Sequence, residues 1–126
     1  MRTRLLLPAL ALLAACGPQP PTISAISYGP LAAPVGQATA LVITFSYVDP
    51  DRDAAESGYS MVDPSGVSTT YPHMPLAGTS STTLKAMASL SINVTPQLPG
   101  QYSFEVWVTD LADLESNHLG GVFKAD

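Results

Sequence analysis

Carboxylates at alternate positions are the residues of this sequence best suited to chemistry. Asp49, Asp51 and Asp53 stand in the run DPDRD, and Asp110 stands far along the chain, close to Asp113 and Glu115. Oxygen atoms from several such side chains can converge on one hard cation, and Ca²⁺ takes about six to eight oxygen ligands. The sequence therefore predicts a calcium site formed by Asp49, Asp51, Asp53 and Asp110.

The alternative for this run is a set of solvated turns. Asp-Pro commonly opens a turn, and Arg52 can neutralise a neighbouring carboxylate without any metal. The run is not an EF-hand loop, because the sixth residue from Asp49 is Ala54 rather than Gly and the twelfth is Ser60 rather than Glu.

Trp107 is the second candidate, as a binding residue. Alternation along its strand points it away from the core, on the same face as Glu105 and Thr109. An outward tryptophan can stack on a sugar or anchor a protein partner. The alternative is that a loop or the N-terminal segment folds over the ring and covers it.

No catalytic residue is predicted. The two histidines, His73 and His118, do not form a spaced pair, and no nucleophile elbow, zinc-protease helix or phosphate loop is present in the sequence. An acid–base pair drawn from the acidic run and Asp110 would resemble the carboxylates of glycosidases. A small sandwich with no evident cleft offers such a pair little room for a sugar, so we expect no enzyme.

Cys16 is the only cysteine, which excludes an internal disulfide and a cysteine-based zinc site. It follows two arginines, Arg2 and Arg4, and the apolar run Leu5–Leu13. That run is too short for a membrane-spanning helix, which needs about 20 residues. The sequence Leu13-Ala14-Ala15-Cys16 resembles the lipobox of bacterial lipoproteins. That resemblance implies cleavage before Cys16, a diacylglycerol thioether on its sulfur and an acyl chain such as palmitate on its new amine. An ordinary secretory signal is the alternative.

These features divide the chain into three parts. Residues 1–15 are the predicted signal peptide, residues 16–21 a lipidated cysteine with a stiff Pro-rich tether, and residues 22–126 a single domain. Gly17 stands where Asp would resemble an inner-membrane retention signal. The expected location is the bacterial cell envelope, at the outer membrane if the host has two membranes.

The domain shows period-two hydrophobic alternation and no helical periodicity of useful length. The main segments are Leu41–Tyr47, Leu84–Val94 and Gln101–Thr109, with alternate residues facing inward from Leu41, Leu84 and Tyr102. Shorter strands are predicted at Ile23–Tyr28, Tyr59–Val62, Val67–Tyr71 and Leu119–Lys124. The turn DPSG at residues 63–66 joins two of them as a hairpin. We expect an all-β, seven-stranded antiparallel sandwich.

The segment Leu98–Asp110 carries a family resemblance. Its Pro-Gly corner, Tyr102, alternating apolar residues and final Asp are similar to the penultimate strand of bacterial immunoglobulin-like, PKD-like and fibronectin-III-like domains. Tyr102 resembles the tyrosine-corner residue of these domains, whose hydroxyl bonds to the chain upstream. In that topology the loops after the second and sixth strands lie at one end, where Asp49, Asp51 and Asp53 can meet Asp110. The inter-sheet cysteine pair of antibody domains is missing.

The charge of the mature chain limits the classes of partner that we expect. Loss of Arg2 and Arg4 with the signal leaves three Lys and Arg residues against ten acids, a formal charge of −7, so nucleic acid is not an expected partner. We expect a membrane-anchored lipoprotein whose non-catalytic domain serves protein interaction or adhesion in the envelope. Its expected partners are the membrane, through the lipid on Cys16, and an envelope protein or glycan. A carbohydrate- or calcium-binding module is the alternative, followed by a small hydrolase or an assembly accessory.

Overall fold

A computed structural model describes residues 17–76 and 84–126. Cys16 and the signal segment 1–15 lie outside the described residues, so their lipidation and cleavage stay predictions. Within the described ranges no helix is long and apolar enough to cross a bilayer.

The described residues form nine β-strands in two packed sheets. The strands are β1 (Thr22–Gly29), β2 (Ala32–Ala33), β3 (Thr39–Val48), β4 (Ala54–Val62), β5 (Ser68–Thr70), β6 (Met74–Pro75), β7 (Lys85–Val94), β8 (Gly100–Asp110) and β9 (Leu119–Ala125). One sheet has the order β1-β3-β7 and the other β2-β9-β8-β4-β5, with β6 also paired to β4. All neighbouring strands are antiparallel except β2 and β9, which are parallel. The predicted all-β sandwich is confirmed.

The strand boundaries differ from the prediction where the sequence signal is weak. The two-residue strands β2 and β6 are too short to show any alternation. Strand β4 begins at Ala54 rather than at the predicted Tyr59. The sequence does not indicate its first part, because Ala54–Gly58 lacks the β-branched and aromatic residues that are typical of a strand. Strand β5 covers only Ser68–Thr70 of the predicted Val67–Tyr71.

The core lies between the sheets and is built from the predicted alternate positions. Buried side chains from β3, β7 and β8 face each other across it: Leu41, Ile43, Phe45, Tyr47, Ala88, Leu90, Ile92, Val94, Tyr102, Phe104, Val106 and Val108. The prediction for Leu84 was wrong, because β7 begins one residue later and the Leu84 side chain is 42% exposed. Its carbonyl instead accepts a hydrogen bond from the amide of Asp49 at 2.7 Å.

Two predicted local structures are confirmed at the end of the sandwich where β4 finishes. In the 63–66 turn the Gly66 amide donates to the Asp63 carbonyl at 3.0 Å, and β4 and β5 pair as a hairpin. The Tyr102 hydroxyl donates to the Leu98 carbonyl at 3.0 Å, which makes a tyrosine corner. The acidic run lies at the opposite end, where β3 finishes and β4 begins.

Candidate metal centre

The four predicted ligands meet at that opposite end. One oxygen from each of Asp49, Asp51, Asp53 and Asp110 can be chosen so that all four lie within 4.8 Å of one another. Two ligands on opposite sides of a Ca²⁺ ion, each about 2.4 Å from it, would be about 4.8 Å apart. The four oxygens therefore fit around a single ion of this size.

The side chain of Asp49 shapes the turn that carries three of these residues. Asp49 ends the alternating core positions of β3 and is fully buried. Its carboxylate accepts the amides of Asp51 at 3.2 Å and of Asp53 at 2.6 Å. Arg52 takes a left-handed conformation with φ of 56°, which closes the turn before β4. The short Asp-rich spacing thus forms a compact loop with its carboxylates on one side.

Asp110 reaches the cluster from the end of β8, where it is 3% exposed. Its Oδ1 accepts the amides of Ala112 at 2.9 Å and Leu114 at 2.8 Å, so Asp110 shapes its own loop as Asp49 does. The two loops are joined because the Leu111 amide donates to the Asp53 carbonyl at 3.0 Å. The predicted convergence of the acidic clusters from β3 and β8 is present in the structure.

Two carboxylate oxygens of the cluster, Asp53 Oδ1 and Asp110 Oδ2, are buried and have no hydrogen-bond partner among the described residues. Burial, together with the negative charge of Asp110 and of the other cluster carboxylates, raises the pKa of Asp53 above its ordinary value of 3.8. A buried carboxylate oxygen without a donor is energetically costly. A bound cation would satisfy both oxygens and cancel part of the repulsion.

The alternative in which Arg52 neutralises the cluster has no support in the geometry. Within the described part of the chain, no ion pair joins Arg52 to any of these carboxylates. The side chain of Arg52 is exposed. The described protein groups thus leave the four acidic side chains without a countercharge in contact.

The tether residues approach the same cluster. The Gln19 amide donates to Asp51 Oδ2 at 2.6 Å, and Pro21 is fully buried. Two residues further on, Ile23 is held by Asn117, whose side chain accepts the Ile23 amide at 2.8 Å and donates to its carbonyl at 2.9 Å. The chain therefore enters the sandwich beside the acidic cluster.

Trp107 points to the outer face of its sheet, as predicted, but its ring is not free. It is only 6% exposed and lies over Gly58, the residue paired with it on β4. The His118 ring stacks on it with centroids 4.5 Å apart, and His73 meets it edge-on at 6.3 Å. The alternative, in which other parts of the chain cover the ring, is therefore correct for Trp107. The prediction of an open platform on which a sugar could stack is wrong, because the ring is buried.

The two histidines do not form a spaced pair in the sequence, but the structure places each of them against an acidic side chain. His73 Nδ1 lies 3.1 Å from a Glu56 oxygen, and His118 Nδ1 lies 3.1 Å from a Glu105 oxygen. His118 Nε2 also contacts Glu115. Burial lowers the pKa of His118, but hydrogen bonds to Glu105 and Glu115 and their charges outweigh it, so its pKa is raised above 6.5. Two of these contacts join a histidine outside the strands to an acid on a strand, Glu56 on β4 and Glu105 on β8, and alternation alone does not reveal them.

Comparison with known proteins supports the fold. No protein-family model and no curated protein matches the chain. Among solved structures, it is similar to the PKD domain of an M14-like peptidase from a Thermoplasmatales archaeon, with a TM-score of 0.54 and 16% identity, covering 86% of this chain and 98% of that domain. The described fold is thus a PKD-like, immunoglobulin-like sandwich.

Two further structures share this fold at low identity. A Niemann-Pick type C2 protein from the Japanese carpenter ant matches with a TM-score of 0.58 and 10% identity, over 88% of this chain and 96% of that one. The alkylpurine DNA glycosylase AlkC of Pseudomonas fluorescens, in complex with DNA containing an abasic site analog, matches with a TM-score of 0.53 and 14% identity. That match covers 93% of this chain but 33% of the glycosylase. These likenesses concern the fold alone.

Proposed function

We propose that this protein is a non-catalytic interaction or adhesion module of the bacterial envelope that binds one Ca²⁺ ion at Asp49, Asp51, Asp53 and Asp110. A lipid on Cys16 holds it to the membrane, at the outer membrane in a host with two membranes, and the sandwich meets an envelope protein. The PKD-like fold supports an interaction domain, and the acidic cluster supports the ion.

The observation that carries the calcium assignment is the unpartnered Asp110 Oδ2 inside the four-carboxylate cluster. Asp110 is almost completely buried, and its second oxygen receives no hydrogen bond. Buried polar atoms usually have a partner, and this one is a carboxylate oxygen beside three other carboxylates, where a cation is the partner that would also reduce the repulsion. Oxygen-only ligands suit Ca²⁺ and Mg²⁺, and a set of four protein carboxylates favours Ca²⁺ because Mg²⁺ usually keeps several waters and takes only one or two carboxylates.

A bound ion would link three separate segments of the chain. Asp51 accepts a hydrogen bond from the Gln19 amide of the tether, Asp53 directly precedes β4, and Asp110 is the last residue of β8. One ion held by these side chains would fix the tether, the turn and the β8 loop relative to each other. The proposed module therefore presents its partner surface from a stiff base rather than from a loose stalk.

Calorimetric titration of the mature protein with Ca²⁺ tests the ion. We expect one ion per chain, with binding lost in Asp110→Asn. The matched control is Asp113→Asn, which removes an equal charge on the same loop from a residue outside the cluster. Asp113 has a φ of 61°, a conformation that Asn also adopts readily. Equal binding by wild type and Asp110→Asn would sink the assignment, as would a clear preference for Mg²⁺.

The anchor has its own test, independent of the ion. Mass spectrometry of the mature N-terminus, after expression of the full chain in a bacterium, should show a peptide that begins at Cys16 and carries acyl chains. Cys16→Ser should abolish both acylation and cleavage before residue 16, so that the precursor accumulates at its full length and without acyl chains. An unmodified thiol at Cys16, or cleavage elsewhere, would show an ordinary secretory signal instead.

A further inference from the structure

The acidic end of the sandwich also carries two exposed apolar side chains. Leu111, on the β8 loop, is 70% exposed, and Leu84, before β7, is 42% exposed. Both are tied to the cluster by the backbone, since Leu111 bonds to Asp53 and Leu84 to Asp49. Two apolar side chains therefore project into solvent from the rim of the proposed ion site.

Cationic side chains share this end. The sequence after the signal contains three Lys and Arg residues, and Arg52 in the acidic turn and Lys85 at the start of β7 are two of them. Both are exposed. The four cluster carboxylates with Asp113 and Glu115, against these two cations, give this end a formal charge of about −4, which a bound divalent ion reduces to about −2.

The path of the chain fixes which end of the sandwich faces the membrane. Gln19 is bonded to Asp51, so three residue steps separate the cluster from Cys16. An extended chain spans about 3.5 Å per step, which places the cluster within about 10 Å of the lipidated residue. The opposite end, at the 63–66 turn, is about 30 Å away along the nine residues of β4.

We propose that this end rests on the bilayer surface, with Leu111 and Leu84 in the headgroup region and Ca²⁺ at the cluster bridging to lipid phosphate oxygens. The proposal rests on the lipid anchor and the ion proposed above. Four carboxylates leave room among the about six to eight positions of Ca²⁺ for oxygens from outside the chain. Without the ion, repulsion between the cluster and anionic headgroups lifts the end away.

A thiol-reactive dye at single positions tests the contact. The acylated protein has no free thiol, so Leu111→Cys introduces the only one, which is labelled with NBD and reconstituted in vesicles of phosphatidylcholine and phosphatidylglycerol. We expect NBD emission to rise several-fold and shift to the blue when Ca²⁺ is added at the saturating concentration found by the calorimetric titration, and to reverse with EDTA. Leu84→Cys provides a second position on the same rim.

The matched control is Val67→Cys, another exposed apolar residue, 58% exposed, at the opposite end. Its dye should stay water-like throughout. Emission at residue 111 that matches residue 67 with and without Ca²⁺ would overturn the membrane contact, and a Ca²⁺-independent shift at residue 111 would overturn the requirement for the ion. The labelling ratio separates these from failure of the anchor, because an unacylated Cys16 gives two dyes per chain.

Discussion

Replacing Asp110 with Asn should stabilise the domain when no Ca²⁺ is present. The Asn side chain has the same shape and keeps the Oδ1 acceptor that receives the amides of Ala112 and Leu114. It replaces the unpartnered Oδ2 with an amide group that can donate to the surrounding carboxylates. One substitution thus removes a buried negative charge and leaves the local hydrogen bonds intact.

The magnitude follows from the spacing of the cluster. Two unit charges at the 4.8 Å limit of the cluster repel by about 3.5 kcal/mol at an effective dielectric constant of about 20, and by about 0.9 kcal/mol at that of water. Asp49 is buried and Asp51 is exposed, so the site lies between these limits. We expect Asp110→Asn to raise the free energy of unfolding in EDTA by about 1–3 kcal/mol.

Saturating Ca²⁺ should remove most or all of this difference in stability. An ion at 100 times its dissociation constant stabilises the wild type by about 2.7 kcal/mol, or about 10 °C for a domain of this size. The variant should gain almost nothing, whereas Asp113→Asn should respond as the wild type does. Thermal unfolding by circular dichroism in EDTA and in Ca²⁺ measures all three proteins. A variant less stable than wild type in EDTA, or one that keeps the full Ca²⁺ response, would refute the reasoning.

Three further predictions concern other parts of the molecule. Gly58→Ala places a methyl group inside the Trp107 ring and should cost about 1–3 kcal/mol in urea unfolding, whereas Ser60→Ala on the same face should cost little; equal losses would contradict the packing. Fluorescence of Trp107, the only tryptophan, should titrate with a midpoint above 6.5, and the stability that His118 contributes should be complete below pH 6.5 and lost as pH rises through its raised pKa; a titration that persists in His118→Gln would refute this. Ca²⁺ affinity should weaken as pH falls through the raised pKa of Asp53, because protonation of this carboxylate competes with the ion. If calorimetry shows that the affinity does not change down to about pH 4, Asp53 is not a ligand.

The core and the acidic cluster were predictable because each depends on a local pattern plus one topological rule. Alternation placed Phe45, Leu90 and Phe104 inward, and a chain of this fold brings the loops after β3 and β8 to one end. Asp49 directly follows β3, and Asp110 is the last residue of β8. Their meeting therefore required the fold and no detailed knowledge of side-chain packing.

The surroundings of Trp107 were not predictable in the same way. Its direction follows from alternation, but its burial depends on His73 and His118, which lie in loops far from it in sequence. The tether contact has the same origin, because the pairing of Gln19 with Asp51 spans 32 residues and leaves no periodic signal. Long-range contacts between irregular segments are set by the folded sandwich and not by any local pattern.

Anomalous diffraction from crystals grown with Ca²⁺ tests the calcium site most directly. We expect one anomalous peak at the end of the sandwich where β3 finishes, about 2.3–2.6 Å from oxygens of Asp49, Asp51, Asp53 and Asp110. The same crystals soaked in EDTA should lose the peak. A peak on other residues, or none among these four carboxylates at millimolar Ca²⁺, would contradict it.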